Sequence, residues 1–354
     1  MAKALIAMSG GVDSSVAAHL MKNKGYECIG CTMKLYSNED AGVERTKTCC
    51  TSEDAEDARS VAAKLDIPFY VFNFQDLFRD KIIGKFADCY ERGITPNPCI
   101  DCNRYMKFEK LMERADELDC ECVVTGHYAR IEKEGDRYLL KKAADPDKDQ
   151  SYVLYMLTQK QLSRVRFPLG ELTKDETRRI ADGLGFINAN KPDSQDICFV
   201  PDDDYYGAIC RYTRKSYPEG DFKDRDGNVL GRHKGIVGYT IGQRKGLGIS
   251  ADRPLYVCDI RPDTNEVILG DNEDLFATDV NVADVNIIAG YNVGDKVCCK
   301  AKIRYRQKEQ SASVEFLDGN RAHLVFDEPQ RAITRGQAAV FYDGDVVLGG
   351  GTIV

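Results

Sequence analysis

The chain has 354 residues, of which 43% are hydrophobic and 30% are charged, and its formal net charge is −8. This length and composition predict two or three globular domains and exclude a largely disordered chain. The longest apolar runs fall far short of the roughly 20 residues of a membrane-spanning helix, so no membrane partner is expected. An acidic chain must bind nucleic acid through a local basic surface. Fourteen cysteines, without an export signal at the start of the sequence, indicate reduced thiols in the cytoplasm, metal ligands or redox chemistry.

The first part of the chain alternates strand and helix patterns. Apolar runs predict buried strands at 4–8, 28–33, 69–72 and 122–125. Helices are predicted after Gly11, after a cap at Thr51, through Phe78 and after Asn103, because apolar residues recur there at helical spacing. The alternation predicts an α/β domain with a doubly wound parallel sheet over residues 1–205, whose ligands bind at the carboxyl ends of the strands.

The pattern then changes to short strands. Thr173 and Glu176 form a capping box that opens one more helix, which is expected to end near Gly183. Further on, short alternating runs are separated by Asp-Gly turns at 226–227, 318–319 and 343–344, which are hairpin signals. We therefore predict a small β-rich central domain at 206–279 and a β-barrel-like domain at 280–354.

A glycine turn joins the first predicted strand to the first helix. Gly10 and Gly11 allow backbone amides to face an anion, the helix N-terminus adds partial positive charge, and Asp13 can hold Mg²⁺. The lysine of a Walker A loop is missing. The turn resembles the pyrophosphatase loop of enzymes that cleave ATP between its α and β phosphates and activate a substrate oxygen by adenylation. The alternative is a glycine turn that merely caps the helix. Even as a pyrophosphatase loop, the turn does not identify the nucleophile that displaces the activated oxygen.

Two cysteines lie in polar, loop-like contexts. Residues 95–103 contain Pro96 and Pro98, which predict an extended, exposed loop, and Cys102 follows at the expected start of a helix, where the thiolate is favoured. Cys198 lies in a second polar turn. Most other cysteines lie in apolar runs and are expected to be small core residues.

Seven motifs in register make the chain similar to the bacterial tRNA-specific 2-thiouridylases, which have an adenine-nucleotide α-hydrolase-like domain. The matching segments are the glycine turn, Cys49-Cys50 with Glu53-Asp54, 95–103, 125–128, 148–152, 196–199 and 242–246. With weaker matches further on, the resemblance extends from Met8 to about Tyr342.

The resemblance implies a reaction and its residues. ATP adenylates C2 of the wobble uridine in glutamate, glutamine and lysine tRNAs, with Mg²⁺ as its metal. Cys198 carries a persulfide received from a sulfur-relay protein or a cysteine desulfurase, and Cys102 is the second catalytic thiol. The implied ATP-binding residues are Ala7, Met8, Ser9, Gly10, Gly11, Val12, Asp13, Ser14, Met33 and Gly126. The implied tRNA-binding residues are Asn97, Pro98, Cys99, Lys148, Asp149, Gln150, Arg304, Tyr305 and Gln337. His127 is either beside the nucleotide or a structural histidine.

Position 99 departs from the family pattern. It is commonly Asp in the family and is Cys99 here, which forms a CxxC with Cys102. Together with Cys198, the pair gives three cysteines that could hold a 4Fe–4S cluster whose open iron binds sulfide. An iron–sulfur mechanism therefore competes with the persulfide route, and zinc is a lesser rival.

A local basic surface is predicted at 300–308. Lysine or arginine recurs there at every second position, so a continuous strand would present five cations on one face to a phosphate backbone. A second basic cluster is expected along the same RNA path: Arg164, Arg166, Lys174, Arg178 and Arg179. The target base must be flipped out to be reached. The other functions weighed are an adenylating synthetase or ligase of a small substrate and a non-catalytic RNA binder.

Overall fold

A computed structural model describes residues 1–37, 52–193, 197–200 and 203–354. The predicted cap Thr51 and the motif residues Cys49, Cys50 and Asp196 lie outside these ranges. Within them, none of the helices is both long and apolar enough to cross a membrane.

Strands and helices are numbered in chain order. The strands of the first part of the chain are β1 Lys3–Ala7, β2 Glu27–Lys34, β3 Phe69–Asn73, β4 Cys122–Val124, β5 Arg130–Glu134, β6 Arg137–Lys141 and β7 Val165–Arg166. The remaining strands are β8 Gly220–Lys223, β9 Val229–His233, β10 Tyr256–Arg261, β11 Glu266–Gly270, β12 Phe276–Ile287, β13 Lys296–Lys302, β14 Gln310–Leu317, β15 Arg321–Arg331, β16 Ala338–Asp343 and β17 Val346–Ile353. The α-helices are α1 Val12–Asn23, α2 Ser52–Lys64, α3 Gln75–Phe78, α4 Gly84–Glu91, α5 Pro98–Asp101, α6 Leu111–Glu117, α7 Gln159–Arg164, α8 Lys174–Gly183 and α9 Tyr205–Thr213.

The N-terminal sheet is parallel, with the strand order β3-β2-β1-β4-β7. Its central strands β1 and β4 are buried because helices cover both faces of the sheet, as their apolar runs predict. The predicted doubly wound α/β class is confirmed. The chain leaves β1 toward β2 and later returns to β4 on the other side, so the carboxyl ends of β1 and β4 flank the switch point where such sheets bind ligands.

Two helices of this domain contain π-helical turns, at Arg79–Ile83 between α3 and α4 and at Cys102–Lys110 between α5 and α6. The prediction of an extended, exposed loop through Asn103 is wrong, because the helix begins at Pro98. Asn97 caps this helix by accepting the N–H of Cys99 at 3.2 Å, and Pro98 fits the first helical position, where no N–H partner is needed. Cys102 therefore lies one turn inside the helix.

Two β units follow. The central sheet has the order β10-β11-β8-β9. The C-terminal sheet has the order β12-β15-β14-β13-β16-β17 and closes into a barrel through β12 and β17, and the hairpin β5-β6 extends it beside β17. The Asp-Gly pairs lie between β8 and β9, β14 and β15, and β16 and β17, so the predicted hairpin turns are confirmed.

The predicted continuous strand at 300–308 is wrong beyond Lys302. The chain turns there: the N–H of Ile303 donates to Gln307 Oε1 at 3.0 Å, and the N–H of Gln307 donates to the Arg304 carbonyl at 3.2 Å. The turn buries Ile303 against the barrel core. The five cations therefore do not share one strand face.

Candidate active site

The glycine turn after β1 is held in shape by its own serines. The N–H of Ser9 donates to Ser14 Oγ at 3.2 Å, and the hydroxyls of Ser14 and Ser15 donate to the Gly11 carbonyl at 3.0 and 3.1 Å. Gly10 has φ +77°, a conformation that favours glycine. The turn is therefore preorganised at the N-terminus of α1, where backbone N–H groups and the helix dipole attract an anion.

Neighbouring segments pack against this turn without spare room. A Cβ at position 10 would overlap the Asp54 carbonyl oxygen, and one at Gly126 would lie 2.8 Å from the Ser14 nitrogen. Gly126 follows β4, so the two strands at the switch point bring the glycine turn and residues 125–127 together. Among the other predicted ATP-binding residues, Ala7 ends β1 and Met33 lies near the carboxyl end of β2, at the same edge of the sheet.

A charge network surrounds the turn. Lys174 Nζ lies 2.7 and 2.8 Å from the two carboxylate oxygens of Asp13 and 2.6 Å from Asp193. The Tyr128 hydroxyl donates to Asp13 at 2.9 Å, and Lys148 donates to Asp193 at 2.8 Å. Burial opposes ionisation of Asp193, but the hydrogen bonds from Lys148 and Lys174 outweigh it and hold the pKa of Asp193 below its usual value. Lys174, which the sequence placed in a basic cluster along the RNA path, therefore lies against the glycine turn and is paired with two carboxylates.

The segment 188–193, which leads toward Cys198, is bonded to the glycine turn. Asn188 Nδ2 donates to the Gly10 carbonyl and to Ser15 Oγ, both at 2.9 Å. Lys191 Nζ donates to Asp54 and Asp57 of α2 at 2.6 Å each. Together with the ion pair of Asp193, these contacts hold the start of the segment leading to Cys198 against the glycine turn.

Both predicted catalytic cysteines adjoin residues that contact α4. Phe199, next to Cys198, is buried, and its ring packs edge-on against Phe86 at 5.3 Å between ring centroids. Asp101, next to Cys102, accepts a hydrogen bond from Lys85 at 2.8 Å. Cys102 and Cys198 are both half-buried and pack against the same apolar core.

Cys99 differs from these two cysteines because it is exposed. Across the described ranges, no three His, Cys, Asp or Glu side chains are gathered closely enough to hold a metal ion. Cys99, Cys102 and Cys198 therefore do not form a ready ligand set for the predicted 4Fe–4S alternative in this structure.

His127 is enclosed rather than open to a ligand. Its Nδ1 lies 2.7 Å from Thr125 Oγ1, Lys107 Nζ lies 3.4 Å from Nε2, and its ring packs between Phe108 and Phe167. Burial, with Lys107 adding to it, lowers the pKa of His127 well below its usual value, so the imidazole is neutral. Of the two roles left open by the sequence, this environment favours the structural one.

The predicted tRNA-binding residues 148–150 make contacts within the protein. The Asp149 carboxylate accepts the N–H groups of Ala143 and Ser151, each at 3.1 Å, and the Ser151 hydroxyl at 2.8 Å. Gln150 Oε1 accepts the N–H of Tyr128 at 3.0 Å. These bonds fix the shape of the loop. Residues 148–150 are half-buried, so part of their surface stays accessible.

The predicted residues of the barrel lie beside the loop before Cys99. Gln337 Nε2 donates to the Thr95 carbonyl at 2.9 Å, which anchors the residue pair before Asn97. The Tyr305 hydroxyl lies 3.5 Å from the Asp149 carbonyl, and burial, then Asp149 and Cys99, raises the pKa of Tyr305. The barrel thus brings its two predicted contact regions to residues 95–99 and 148–150.

Arg304 is half-buried, and its guanidinium donates to the Ala332 carbonyl at 2.7 Å. Burial, followed by the nearby Arg331, lowers its pKa from the usual value. Arg304 therefore supports the turn after β13 as well as adding positive charge at this surface.

The sequence did not single out Asn188 or Asp193 as residues connected to the glycine turn. Asp193 lies three residues before the matched 196–199 motif, and Asn188 follows α8, which are the available signals. Asn188 bonds to Gly10, 178 residues away, and Asp193 reaches the turn through Lys174, and spacing in sequence reveals neither connection.

The parallel sheet, the preorganised turn at its switch point and the surrounding charges define a nucleotide-binding α/β domain joined to two β units. Family models match the chain over its length: a tRNA methyl transferase HUP domain at residues 2–202, a tRNA methyl transferase PRC-barrel domain at 207–271 and an aminomethyltransferase beta-barrel domain at 277–353.

The tRNA-specific 2-thiouridylase MnmA of Clostridioides difficile (strain 630) is 50% identical over 353 residues, covering 99% of this chain and 98% of that protein. The protein of the same name from Clostridium botulinum (strain Alaska E43 / Type E3) is 50% identical over 351 residues, 99% of this chain and 97% of that protein. The chain belongs to the tRNA-specific 2-thiouridylase family. Among solved structures, a 4-thiouridine synthetase–RNA complex with bound ATP is a distant likeness, with a TM-score of 0.39 and 20% identity over 57% of this chain and 46% of that chain.

Proposed function

We propose that the protein is an ATP-dependent tRNA-uridine 2-sulfurtransferase acting in the cytoplasm on the wobble uridine of glutamate, glutamine and lysine tRNAs. One observation carries the mechanism: the segment leading to Cys198 is bonded to the phosphate-binding turn through Asn188 and, by way of Lys174, through Asp193. A thiol delivered to a nucleotide site fits a reaction in which ATP activates an oxygen and sulfur displaces it.

In the first step, the uridine O2 attacks the α-phosphorus of ATP, pyrophosphate leaves, and C2 carries an adenylated oxygen. The residues that would hold ATP are Ala7, Met8, Ser9, Gly10, Gly11, Val12, Asp13, Ser14, Met33 and Gly126. The turn and the N-terminus of α1 would bind the phosphates through backbone N–H groups. Asp13 would hold Mg²⁺, which offsets phosphate charge when bound. Lys174 and Lys148 supply the neighbouring cations.

In the second step, the terminal sulfur of a persulfide on Cys198 attacks C2, and AMP leaves with the oxygen. The Cys102 thiolate then attacks Cys198 Sγ, which breaks the sulfur–sulfur bond to the substrate. The products are 2-thiouridine and a disulfide between Cys102 and Cys198, so atoms and electrons balance.

The base would be bound at Asn97, Pro98 and Cys99, on a segment that Gln337 anchors from the barrel. Lys148, Asp149, Gln150, Arg304 and Tyr305 would contact the tRNA, and His127 would hold the segment after β4 in place through Thr125 and the rings of Phe108 and Phe167. C2 of a stacked anticodon base is shielded by its neighbouring bases. The target base must therefore leave the stack to enter the active site. A sulfur-relay protein or a cysteine desulfurase would charge Cys198.

We propose the persulfide route rather than an iron–sulfur route, because the persulfide route needs only Cys102 and Cys198 to meet, whereas a cluster also needs Cys99 as a simultaneous third ligand, and across the described ranges no three such side chains are gathered as a ligand set. No step is therefore assigned to a cluster. An adenylating ligase of a small substrate would leave both catalytic cysteines without a role.

The test is an assay with ATP labelled at the α-phosphate, a cysteine desulfurase with cysteine, and unmodified tRNA. We expect 2-thiouridine and labelled AMP in equal amounts. Labelled ADP, or AMP formed without tRNA thiolation, would contradict the proposal.

The Cys198→Ser variant should form no 2-thiouridine. Cys258→Ser is the matched control, because Cys258 lies in β10 of the central sheet and burial raises the pKa of its thiol to about 11. Unimpaired function of Cys198→Ser would favour the non-catalytic RNA binder.

A further inference from the structure

Cys99 and Cys102 lie one turn apart on a continuous helix. Cys99 is the second residue of α5, and the backbone stays helical through Asp101 (φ −63°, ψ −40°) and Cys102 (φ −60°, ψ −45°). Side chains three positions apart are neighbours on the same face of a helix. A CxxC at the start of a helix is the arrangement of dithiol redox motifs, so the two sulfurs are placed to form a disulfide after a small adjustment.

The two cysteines differ in access. Cys99 is exposed, whereas Cys102 and Cys198 are half-buried and flanked by the buried residues Asp101 and Phe199. A reductant in solution can therefore approach Cys99 most easily. The partial positive charge of the first helical turn also favours the thiolate there.

The proposed function, on which this inference rests, leaves a disulfide between Cys102 and Cys198 after each turnover. That disulfide must be reduced before Cys198 can accept another sulfur atom. Because both of its sulfurs belong to half-buried residues, direct reduction from solution would be slow.

We propose that Cys99 is a resolving thiol that opens this disulfide from within the protein. The Cys99 thiolate attacks Cys102 Sγ, a Cys99–Cys102 bond forms, and the Cys102–Cys198 bond breaks. Cys198 leaves as a thiolate and takes up the proton that Cys99 lost, with no net oxidation. An external dithiol reductant then attacks at the exposed Cys99 and supplies two electrons and two protons to the Cys99–Cys102 disulfide, while Cys198 is already available for a new persulfide.

The test maps disulfides after one turnover. Full-length protein charged with persulfide reacts with ATP and unmodified tRNA without reductant, is quenched with an alkylating agent, and is mapped by mass spectrometry. We expect Cys99–Cys102 as the main disulfide of the unaltered protein and Cys102–Cys198 as the main disulfide of Cys99→Ser. A second measurement follows several turnovers with a thioredoxin-type dithiol present. For Cys99→Ser, the steady-state rate of 2-thiouridine formation should be at least tenfold lower than the rate of its own first turnover.

Cys298→Ser is the matched control, because it removes another exposed thiol, in β13, and should keep the unaltered ratio of steady-state to first-turnover rate. The inference is overturned if the unaltered protein forms 2-thiouridine but keeps the Cys102–Cys198 disulfide. Failure to form 2-thiouridine at all would instead overturn the proposed function, so the two outcomes are distinguishable.

Discussion

At the scale of single residues, Lys174 joins the two parts of the site. Its side chain is 9% exposed and lies between the carboxylates of Asp13, in the glycine turn, and Asp193, near the Cys198 segment. A cation in this position attracts both carboxylates and offsets part of their negative charge, which would otherwise repel an incoming phosphate. The residue is therefore expected to support both stability and ATP binding.

Lys174→Met tests this role, since it keeps most of the length of the side chain and removes the charge. Leaving Asp13 and Asp193 without their shared partner should lower the free energy of unfolding by about 1–3 kcal/mol, as measured by urea denaturation, and weaken ATP binding. Lys160→Met, at an exposed position of α7, is the control and should change neither quantity. An unchanged affinity for ATP in Lys174→Met would contradict the role at the nucleotide site.

Asp193 gives the same network a pH dependence. Because its folded-state pKa is depressed, its contribution to stability is present above the unfolded value of about 3.9 and is lost as the pH falls through the lower folded value. The loss in free energy of unfolding caused by Asp193→Asn should therefore be largest above about pH 5 and shrink below pH 4. Urea titrations at several pH values measure it, and Asp252→Asn, at an exposed position, is the control. A loss that grows as the pH falls would contradict this sign.

At the scale of elements, the contact between the start of α1 and the loop after β4 sets the width of the nucleotide crevice. Gly126 lies against the backbone of Asp13 and Ser14, so that the two loops at the switch point touch without a side chain between them. Neither loop can move back freely, because β1 and β4 are paired in the sheet.

Gly126→Ala should therefore displace the N-terminus of α1 and weaken ATP binding at least tenfold, with an overpacking cost of about 1–3 kcal/mol. Calorimetric titration with ATP measures the affinity. The control is Gly183→Ala at the end of α8, where an added Cβ meets nothing within 4 Å. Equal affinity in both variants would show that the crevice tolerates a wider separation.

Elements with a strong local signal were predictable, and those that depend on distant partners were not. The apolar run of β1, the glycine turn and the capping box of Thr173 with Glu176 are local features, and the structure confirms each of them. Strand β7 has only two residues and is defined by its pairing with β4. No hydrophobic periodicity in the sequence therefore predicts it. The strand predicted at 300–308 fails because Gln307 and the buried Ile303 form a turn.

The same distinction holds for the site. The glycine turn, Cys102 and Cys198 were found from local motifs, whereas the Asp13–Lys174–Asp193 network joins positions 161 residues apart and needed the fold. Whether each predicted residue binds ATP or tRNA stays a prediction, as do the domain boundaries at 205/206 and 279/280.

At the scale of the whole molecule, an acidic chain must concentrate its positive charge where tRNA would bind. Of the five cations at 300–308, Lys302 and Arg304 are half-buried, and Arg304 bonds to the Ala332 carbonyl. Burial lowers the pKa of Lys302, whose ammonium lies over the rings of Tyr152 and Tyr305. The remaining three, Lys300, Arg306 and Lys308, are exposed.

The salt dependence of tRNA binding measures how many of these charges the RNA meets. Each phosphate contact contributes about 0.7–0.9 to the slope of log K against log salt concentration, so replacing Lys300, Arg306 and Lys308 together with Ala should reduce the slope by about 2–3. Lys302 and Arg304 should matter less to the slope because they serve the protein's own packing. Lys24→Ala, an exposed change at the far end of α1 from the glycine turn, is the control and should leave the slope unchanged. An unaltered slope in the triple variant would place the RNA on another face, because a net charge of −8 makes a diffuse attraction to RNA too weak to replace three direct contacts.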